Sequence, residues 1–129
     1  MTDGAPVPVL DQALSRVVAI EGVLAASLVE ATTGLVLASA RIGDTVDPHV
    51  IAASAADIVF LLGDLTARTG LEDDLEDLVL TLTGRYHVVR MMRGLVPEPV
   101  ALVVTFDRPE TNLAMARREL REVGEGLGA

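Results

Sequence analysis

The residues that most often transfer protons or hold metal ions are scarce in this chain. It has two histidines, His49 and His87, and no cysteine. His49 follows Pro48 at the start of a predicted helix, whereas His87 lies in a predicted strand. Neither histidine has a second histidine or a carboxylate at the spacing of a zinc site. The sequence therefore predicts no metal site and a solvated side chain at His49.

Nucleophilic catalysis also lacks its usual groups. None of the serines stands in a GxSxG context, and a catalytic triad would depend on the same two histidines. All ten basic residues are arginines, which excludes Schiff-base chemistry and a P-loop lysine. We therefore predict no catalytic residue, no cofactor and no enzymatic activity.

The densest charge in the chain is an acidic run. It lacks the glycine and the ligand spacing of a calcium loop, and it is typical of a solvated segment that protects a strand edge. A docking patch for a basic partner is the alternative. The run consists of Glu72, Asp73, Asp74, Glu76 and Asp77.

The arginines have ordinary explanations. Arg117, Arg118 and Arg121 fall in the predicted last turns of the third helix, where positive charge complements the helix dipole. Anion binding is the alternative use. Arg90 and Arg93 flank a loop, and nothing in the sequence favours a role for either as a catalytic arginine in trans.

Composition limits the class of protein. A chain of 129 residues, half of them apolar, suits one globular domain. The net charge of −9 and the few aromatic residues argue against nucleic-acid binding and against an anionic membrane surface. No apolar run reaches the roughly 18 residues of a membrane span, and the first residues do not form a signal peptide. A soluble, cytoplasmic protein without membrane insertion is expected.

Hydrophobic periodicity and turn residues predict the elements. We expect a flexible tail over residues 1–8, a single domain over 9–123 and a flexible glycine-rich tail over 124–129. The predicted helices are Val9–Ile20, Val50–Thr69 and a third that begins at Asp107 or Arg108 and ends near Val123. The predicted strands are Val23–Glu30, Leu35–Ala40, Leu75–Leu82, Arg85–Met92 and Val100–Phe106.

The order α-β-β-α-β-β-β-α predicts an α/β (α+β) fold with one five-stranded, mostly antiparallel sheet and three helices. The last strand is apolar on both faces, which is typical of the middle of a sheet. The first and third helices are amphipathic and should share one face. The second helix would then lie alone on the other face and leave it under-covered.

The second helix is too apolar for a monomer. Its polar stripe is narrow, and the remaining arc of roughly 240° far exceeds the ~100° that a surface helix needs. The arc divides into a large-residue side, expected to cover the sheet, and a small-residue side that would let a second helix approach closely. Burial by loops of the same chain is the alternative. The predicted homodimer interface consists of Ala52, Ala56, Phe60, Gly63 and Ala67.

The exposed stripe of the same helix is the expected docking surface for another protein. Leu61 is an apolar residue inside an otherwise polar stripe, where it would serve as an anchor. A lone exposed leucine without a function is the ordinary alternative. The predicted docking residues are Ser54, Asp57, Leu61 and Asp64.

The stretch from Leu14 to Ala40, LSRVVAIEGVLAASLVEATTGLVLASA, resembles the start of the Roadblock/LC7 family. That family opens with an amphipathic helix and a glycine-led hairpin of the form GV.GA.LVD..GLVLAS. The alanine-rich second helix, the segment LVLTLTGRYHVVRMM and the segment DRPETNLAMARREL also fit, so the resemblance extends over 9–123. It is greatest to the short actinobacterial members.

The resemblance implies the profilin-like Roadblock/LC7 architecture and a dimer that joins sheets edge to edge and packs its second helices together. It also implies a regulator or platform for a Ras-like small GTPase, connected to a sensor histidine kinase system in bacteria. The acidic run lies beside the edge strand that would pair, which is a departure from the family. A small-ligand sensor of the profilin-like or PAS type is the alternative function, and it would need polar groups converging in the core.

Overall fold

A computed structural model describes residues 8–44, 46–69, 75–92 and 99–128. The predicted order of helices and strands is confirmed, with one 3₁₀ turn (Arg108–Glu110) added before the last helix. The tail expected over residues 1–8 lies outside the described residues except for Pro8. The elements are α1 (Pro8–Val18), β1 (Val23–Glu30), β2 (Val36–Arg41), α2 (Pro48–Thr69), β3 (Asp77–Thr81), β4 (Arg85–Met92), β5 (Val100–Asp107) and α3 (Leu113–Gly128).

The strands form one antiparallel sheet in the order β2-β1-β5-β4-β3. The apolar strand β5 lies in the middle, paired with β1 on one side and β4 on the other. Its residues from Val100 to Phe106 are all buried. The prediction of a central strand is therefore confirmed, because successive side chains point to opposite faces and only a strand covered on both faces buries all of them.

One face of the sheet is covered by α1 and α3, which also contact each other. Each helix buries a single stripe, as its amphipathic pattern predicts. Phe106 and Leu102 of β5 lie under these stripes and are completely buried. The buried helix residues are Leu10, Ala13, Leu14 and Val17 of α1 and Ala116, Leu120 and Val123 of α3.

The other face carries α2 alone, which packs on β1, β2 and β5. Ala52 and Ala55 of the helix pack against Val29, Ala101 and Val103 of the sheet. These short side chains allow the helix axis to lie close to the strands. None of the helices in the described ranges has both the length and the hydropathy needed to cross a membrane.

The third helix begins later and ends later than predicted. Asp107 ends β5, and residues 108–110 form the 3₁₀ turn instead of the first turn of α3. Asn112 then caps α3, since its Oδ1 accepts a hydrogen bond of 3.1 Å from the Met115 amide. The helix continues to Gly128 rather than ending near Val123, so most of the glycine-rich segment expected as a tail is helical.

The turn from α1 into β1 requires glycine at position 22. Gly22 has φ of 94°, and a Cβ at this position would collide with the Thr111 hydroxyl. The Gly22 carbonyl also accepts a hydrogen bond of 2.7 Å from the Asp107 amide. This contact fixes the end of β5 against the start of β1.

Candidate partner-docking surface

The start of α2 is held by the two elements beneath it. An Asp47 carboxylate oxygen accepts a hydrogen bond of 2.9 Å from the His49 amide and so caps the helix, with Pro48 in its first turn. The buried Ser27 hydroxyl of β1 donates a hydrogen bond of 3.1 Å to the Pro48 carbonyl. The sheet therefore fixes where the helix begins and which side of it faces solvent.

The four predicted docking residues, Ser54, Asp57, Leu61 and Asp64, lie together on the exposed side of α2. The structure adds Val50, an exposed residue that lies one turn before Ser54. Val50 and Leu61 are each 64 % exposed, which places them among the most exposed large apolar side chains described. Three helical turns, roughly 16 Å at 1.5 Å per residue, separate them. The surface formed by these five residues is hereafter the outer stripe.

The polar residues of the outer stripe differ in the hydrogen bonds and ion pairs that they form within the chain. Arg68 donates a hydrogen bond of 2.8 Å to the Asp64 carboxylate across one helical turn. The Ser54 hydroxyl donates to the Val50 carbonyl at 3.4 Å. Within the described ranges, no ion pair joins Asp57 to a basic residue. Asp57 is therefore the carboxylate of the outer stripe that is available to a partner.

The prediction that the small-residue side of α2 faces away from the sheet is wrong for the first half of the helix, although Ile51 and Val59 of the large-residue side do pack against the sheet. Ala52 is 0 % exposed because it packs into the sheet, so it is not at a surface that a second copy could reach. Ala56 is half-buried against the β1–β2 turn. The two approach so closely that a Cβ atom added to Gly34 of the turn would lie 3.4 Å from the Cβ of Ala56. Beyond their place in the helix, the structure does not describe Gly63 and Ala67.

Phe60 is the predicted interface residue that the structure leaves open. Its side chain is 72 % exposed, the highest value among the large apolar residues described. Together with the exposed Ala53, it forms the flank of α2 that faces the β1–β2 turn. This flank lies on the β2 side of the sheet, far from β3.

The two histidines lie apart and have different surroundings. His49 is exposed, with Nε2 at 3.5 Å from the Ser39 hydroxyl. His87 is partly buried in β4, and its Nδ1 lies 3.0 Å from the hydroxyl of the buried Thr105. Burial and then the charge of Arg85 lower the pKa of His87 below its ordinary value of 6.5. Within the described ranges, no three histidine or carboxylate side chains are placed to hold a metal ion.

Arg117 does not have the predicted role. It lies in the second turn of α3, because the helix runs to Gly128, and so it is not at the end where it would complement the dipole. Its guanidinium makes two hydrogen bonds, of 3.0 and 2.9 Å, to the carboxylate of Asp77 in β3. The hydrogen bonds and then the charge of Asp77 raise the pKa of Arg117.

Asp77 also forms an ion pair with Arg90, one of the two arginines that flank the loop after β4. Arg90 of β4, which pairs with Asp77 in the β-ladder, places its guanidinium 3.7 Å from the same carboxylate. The Asp77 side chain is only 11 % exposed, so two arginines neutralise it at the edge of the sheet. Arg93 and the acidic residues 72–74 lie outside the described residues. Sequence reasoning missed this cluster because its members are far apart along the chain.

The chain is an α/β domain with a single antiparallel sheet, two helices on one face of the sheet and one helix on the other. No protein-family model matches the chain, and no curated relative matches it significantly. Solved structures do match its fold over nearly the whole chain.

The structure of the gliding protein MglB from Thermus thermophilus has a TM-score of 0.77 and 21 % identity, covering 99 % of this chain and 92 % of that one. A Roadblock/LC7 domain from Streptomyces avermitilis has a TM-score of 0.73 and 21 % identity, covering 90 % of this chain and 92 % of that one. MglB from Myxococcus xanthus has a TM-score of 0.74 and 19 % identity, covering 99 % and 90 %. The chain therefore has the Roadblock/LC7 fold that the sequence resemblance predicts.

Proposed function

We propose that the chain is a non-catalytic, homodimeric module that binds and regulates a Ras-like small GTPase in a bacterial signalling system. The exposed Val50 and Leu61 of the outer stripe are the observation that carries this proposal. Apolar residues of this size, rimmed by polar ones on a rigid helix, are typical of a protein-docking surface. The class of partner, and its connection to a sensor histidine kinase, follow from the Roadblock/LC7 resemblance.

For the homodimer, we propose pairing at the β3 edge. The small-residue side of α2 is poorly suited to a close helix contact, since Ala52 is buried and Ala56 packs against the β1–β2 turn. The β3 edge is better suited than its acidic sequence indicates, because Arg90 and Arg117 neutralise Asp77. Sedimentation at micromolar concentration should give about twice the chain mass of 13.6 kDa. A monomer at high concentration would refute the dimer.

The absence of catalysis is proposed from the residues. The sequence has no lysine and no cysteine, and its two histidines lie on different elements of the fold. A small-ligand sensor would need polar groups converging in the core. The two buried polar residues described, Ser27 and Thr105, instead bond to Pro48 and His87. Hydrolysis of a nucleotide by the isolated chain would contradict the proposal.

Titration of the purified chain against the small GTPases of its host, each in GDP and GTP-analogue forms, tests the docking surface. We expect Leu61→Asp to abolish binding, because it places a charge at the centre of an apolar contact. Ala114→Asp is the matched control, since Ala114 is an exposed residue of α3 on the opposite face of the sheet. Both variants should keep the dimer and nearly the wild-type melting temperature. Absence of binding to every GTPase, or equal loss in both variants, would refute the proposal.

A further inference from the structure

A cleft of about 390 Å³ lies between the β1–β2 turn and the flank of α2 that carries Phe60. Phe60 and Ala53 form its helical wall, Thr32 and Gly34 form the opposite wall, and Asp57 lines it from the outer stripe. A volume of this size is at the low end for small-molecule sites and suits one or two side chains of a peptide. We name it the turn cleft.

The turn that forms one wall is held in place before any partner arrives. The Glu30 carboxylate accepts hydrogen bonds from the Thr32 and Thr33 hydroxyls at 3.2 and 3.0 Å. The Thr33 hydroxyl accepts a hydrogen bond of 3.2 Å from the Leu35 amide. Gly34 takes φ of 79°, and its amide donates to the Glu30 carbonyl at 2.9 Å. A fixed wall reduces the ordering cost of binding.

The other wall holds the most exposed large apolar side chain described, Phe60. The other two aromatic residues of the chain are at least partly buried, Phe106 in the core and Tyr86 against it. Exposed aromatic rings beside a concave surface are the side chains that most often anchor a protein partner. The ring would cover an apolar side chain inserted between the helix and the turn.

The negative charge of the turn cleft favours an occupant that carries positive charge. Asp57 lines the cleft without an ion pair to any described residue, and Glu30 lies under the turn. The arginine of α2 and the arginine of the adjacent strand β2 already form ion pairs, because Arg68 pairs with Asp64 and Arg41 pairs with Asp44. The chain as a whole carries a charge of −9. A positively charged group next to the apolar side chain therefore complements the cleft.

We propose that the turn cleft binds a peptide segment of a partner protein that inserts one bulky apolar side chain and places an adjacent arginine or lysine against Asp57. The cleft adjoins the outer stripe through Asp57, so one partner can occupy both surfaces. Its chemistry does not require the partner to be a GTPase. A GTPase that fails to bind therefore refutes the proposed function and leaves the turn cleft to be tested by itself.

A library of random dodecapeptides displayed on phage is the probe. We expect selection on the wild-type chain to enrich sequences that pair an aliphatic or aromatic residue with an adjacent arginine or lysine. Enriched peptides, made synthetically, should bind Phe60→Ser at least tenfold more weakly and Asp57→Asn several-fold more weakly in calorimetric titration. Affinity for the wild-type chain should fall as salt increases.

Matched controls make the same chemical changes away from the cleft. Met115→Ser removes an exposed apolar side chain of α3, and Asp11→Asn removes an exposed carboxylate of α1. Both should bind the peptides as the wild type does. Enrichment of acidic or purely polar sequences, or equal losses in variants and controls, would overturn the proposal.

A second copy of the chain is the competing occupant of the turn cleft. Phe60→Ser should remain a dimer in sedimentation and melt within about 3 °C of the wild type, because the ring is largely exposed. A monomeric Phe60→Ser that keeps the wild-type fold by circular dichroism would place the second copy against Phe60 and overturn the peptide site.

Discussion

The two faces of the sheet are closed in different ways. On the α1 and α3 face, the helices bury leucine, valine and phenylalanine against each other and against β5. On the α2 face, the contact uses alanine and valine, and the two buried polar residues described, Ser27 and Thr105, both lie there. The outward side of α2 keeps Val50, Phe60 and Leu61 exposed.

The difference separates a face whose helices bury their large apolar residues from a face whose helix leaves several of them exposed. Among the described side chains of α1 and α3, Met115 is the one large apolar residue that stays exposed, and a single exposed residue is ordinary. A lone helix with several exposed large apolar residues has area that a partner can remove from water. The same sheet therefore supports a core on one side and, on the other, a helix that leaves apolar area uncovered.

The largest expected effect tests this contrast with one kind of substitution. Phe106→Ala removes a completely buried ring under α1 and α3 and should lower the free energy of unfolding by about 3–5 kcal/mol. Phe60→Ala removes an exposed ring on α2 and should change it by no more than about 0.5 kcal/mol. Urea denaturation of both variants measures the difference. Similar losses would mean that Phe60 is buried in the protein as it exists in solution.

The second prediction tests which side of α2 faces the sheet. Ala52→Leu adds atoms where no space exists and should destabilise the fold by about 1–3 kcal/mol. Ala53→Leu makes the same change at the neighbouring exposed position and should be nearly neutral. If Ala53→Leu were the more destabilising of the two in thermal unfolding, the helix would be rotated from its position in the structure.

The third prediction concerns the ion pairs of the two faces. Asp77→Asn weakens the contacts of a mostly buried carboxylate with Arg117 and Arg90, and should cost about 1–2 kcal/mol. Asp64→Asn weakens the pair with Arg68 on the exposed side of α2, and should cost less than about 0.5 kcal/mol. Denaturant unfolding of the two variants gives the comparison. Equal costs would show that α3 is not held to β3 through Asp77.

The fold was predictable from the sequence because its signals are local. The apolar runs on either side of the glycine-containing turn define β1 and β2, and the two-faced apolar run of β5 predicts its central place. The start of α3 was misplaced because Asp107 and Pro109 are typical of a helix start, whereas Asn112 is the residue that caps it. A Pro-containing 3₁₀ turn and a helix start share the same sequence pattern.

The site was predictable only in part, because it depends on how α2 is rotated over the sheet. The outer stripe follows from helical spacing, which places Ser54, Asp57, Leu61 and Asp64 on one side. The burial of the predicted interface residues did not follow, since side-chain size does not show which flank lies over β1. The contact between the β1–β2 turn and Ala56 settles that rotation, and it joins residues more than twenty positions apart.

The smallest expected effect concerns pH and the polar groups of the α2 face. The pKa of His87 is lowered in the folded chain, by burial and then by the charge of Arg85, from an ordinary value of 6.5. Below pH 6.5 the unfolded chain therefore binds more protons at this residue than the folded chain, so stability rises with pH in this window. The stabilisation is fully present above pH 6.5 and is lost as pH falls towards the lowered pKa. Solvent screening keeps the effect small, because His87 is only partly buried.

Urea midpoints of the wild type and of His87→Gln at about pH 7.5 and about pH 5.5, on either side of the ordinary histidine pKa, measure this effect. Other groups contribute equally to both proteins, so the difference between the two pH slopes belongs to His87. The wild type should lose more stability on acidification than His87→Gln does. The Val88→Ala variant is the control from the opposite face of the same strand, where the neighbours are apolar. It should be less stable at both pH values and keep the wild-type slope. If instead His87→Gln had the steeper slope, protonated His87 would be stabilised in the fold, with its Nδ1–H donating a hydrogen bond to the Thr105 hydroxyl.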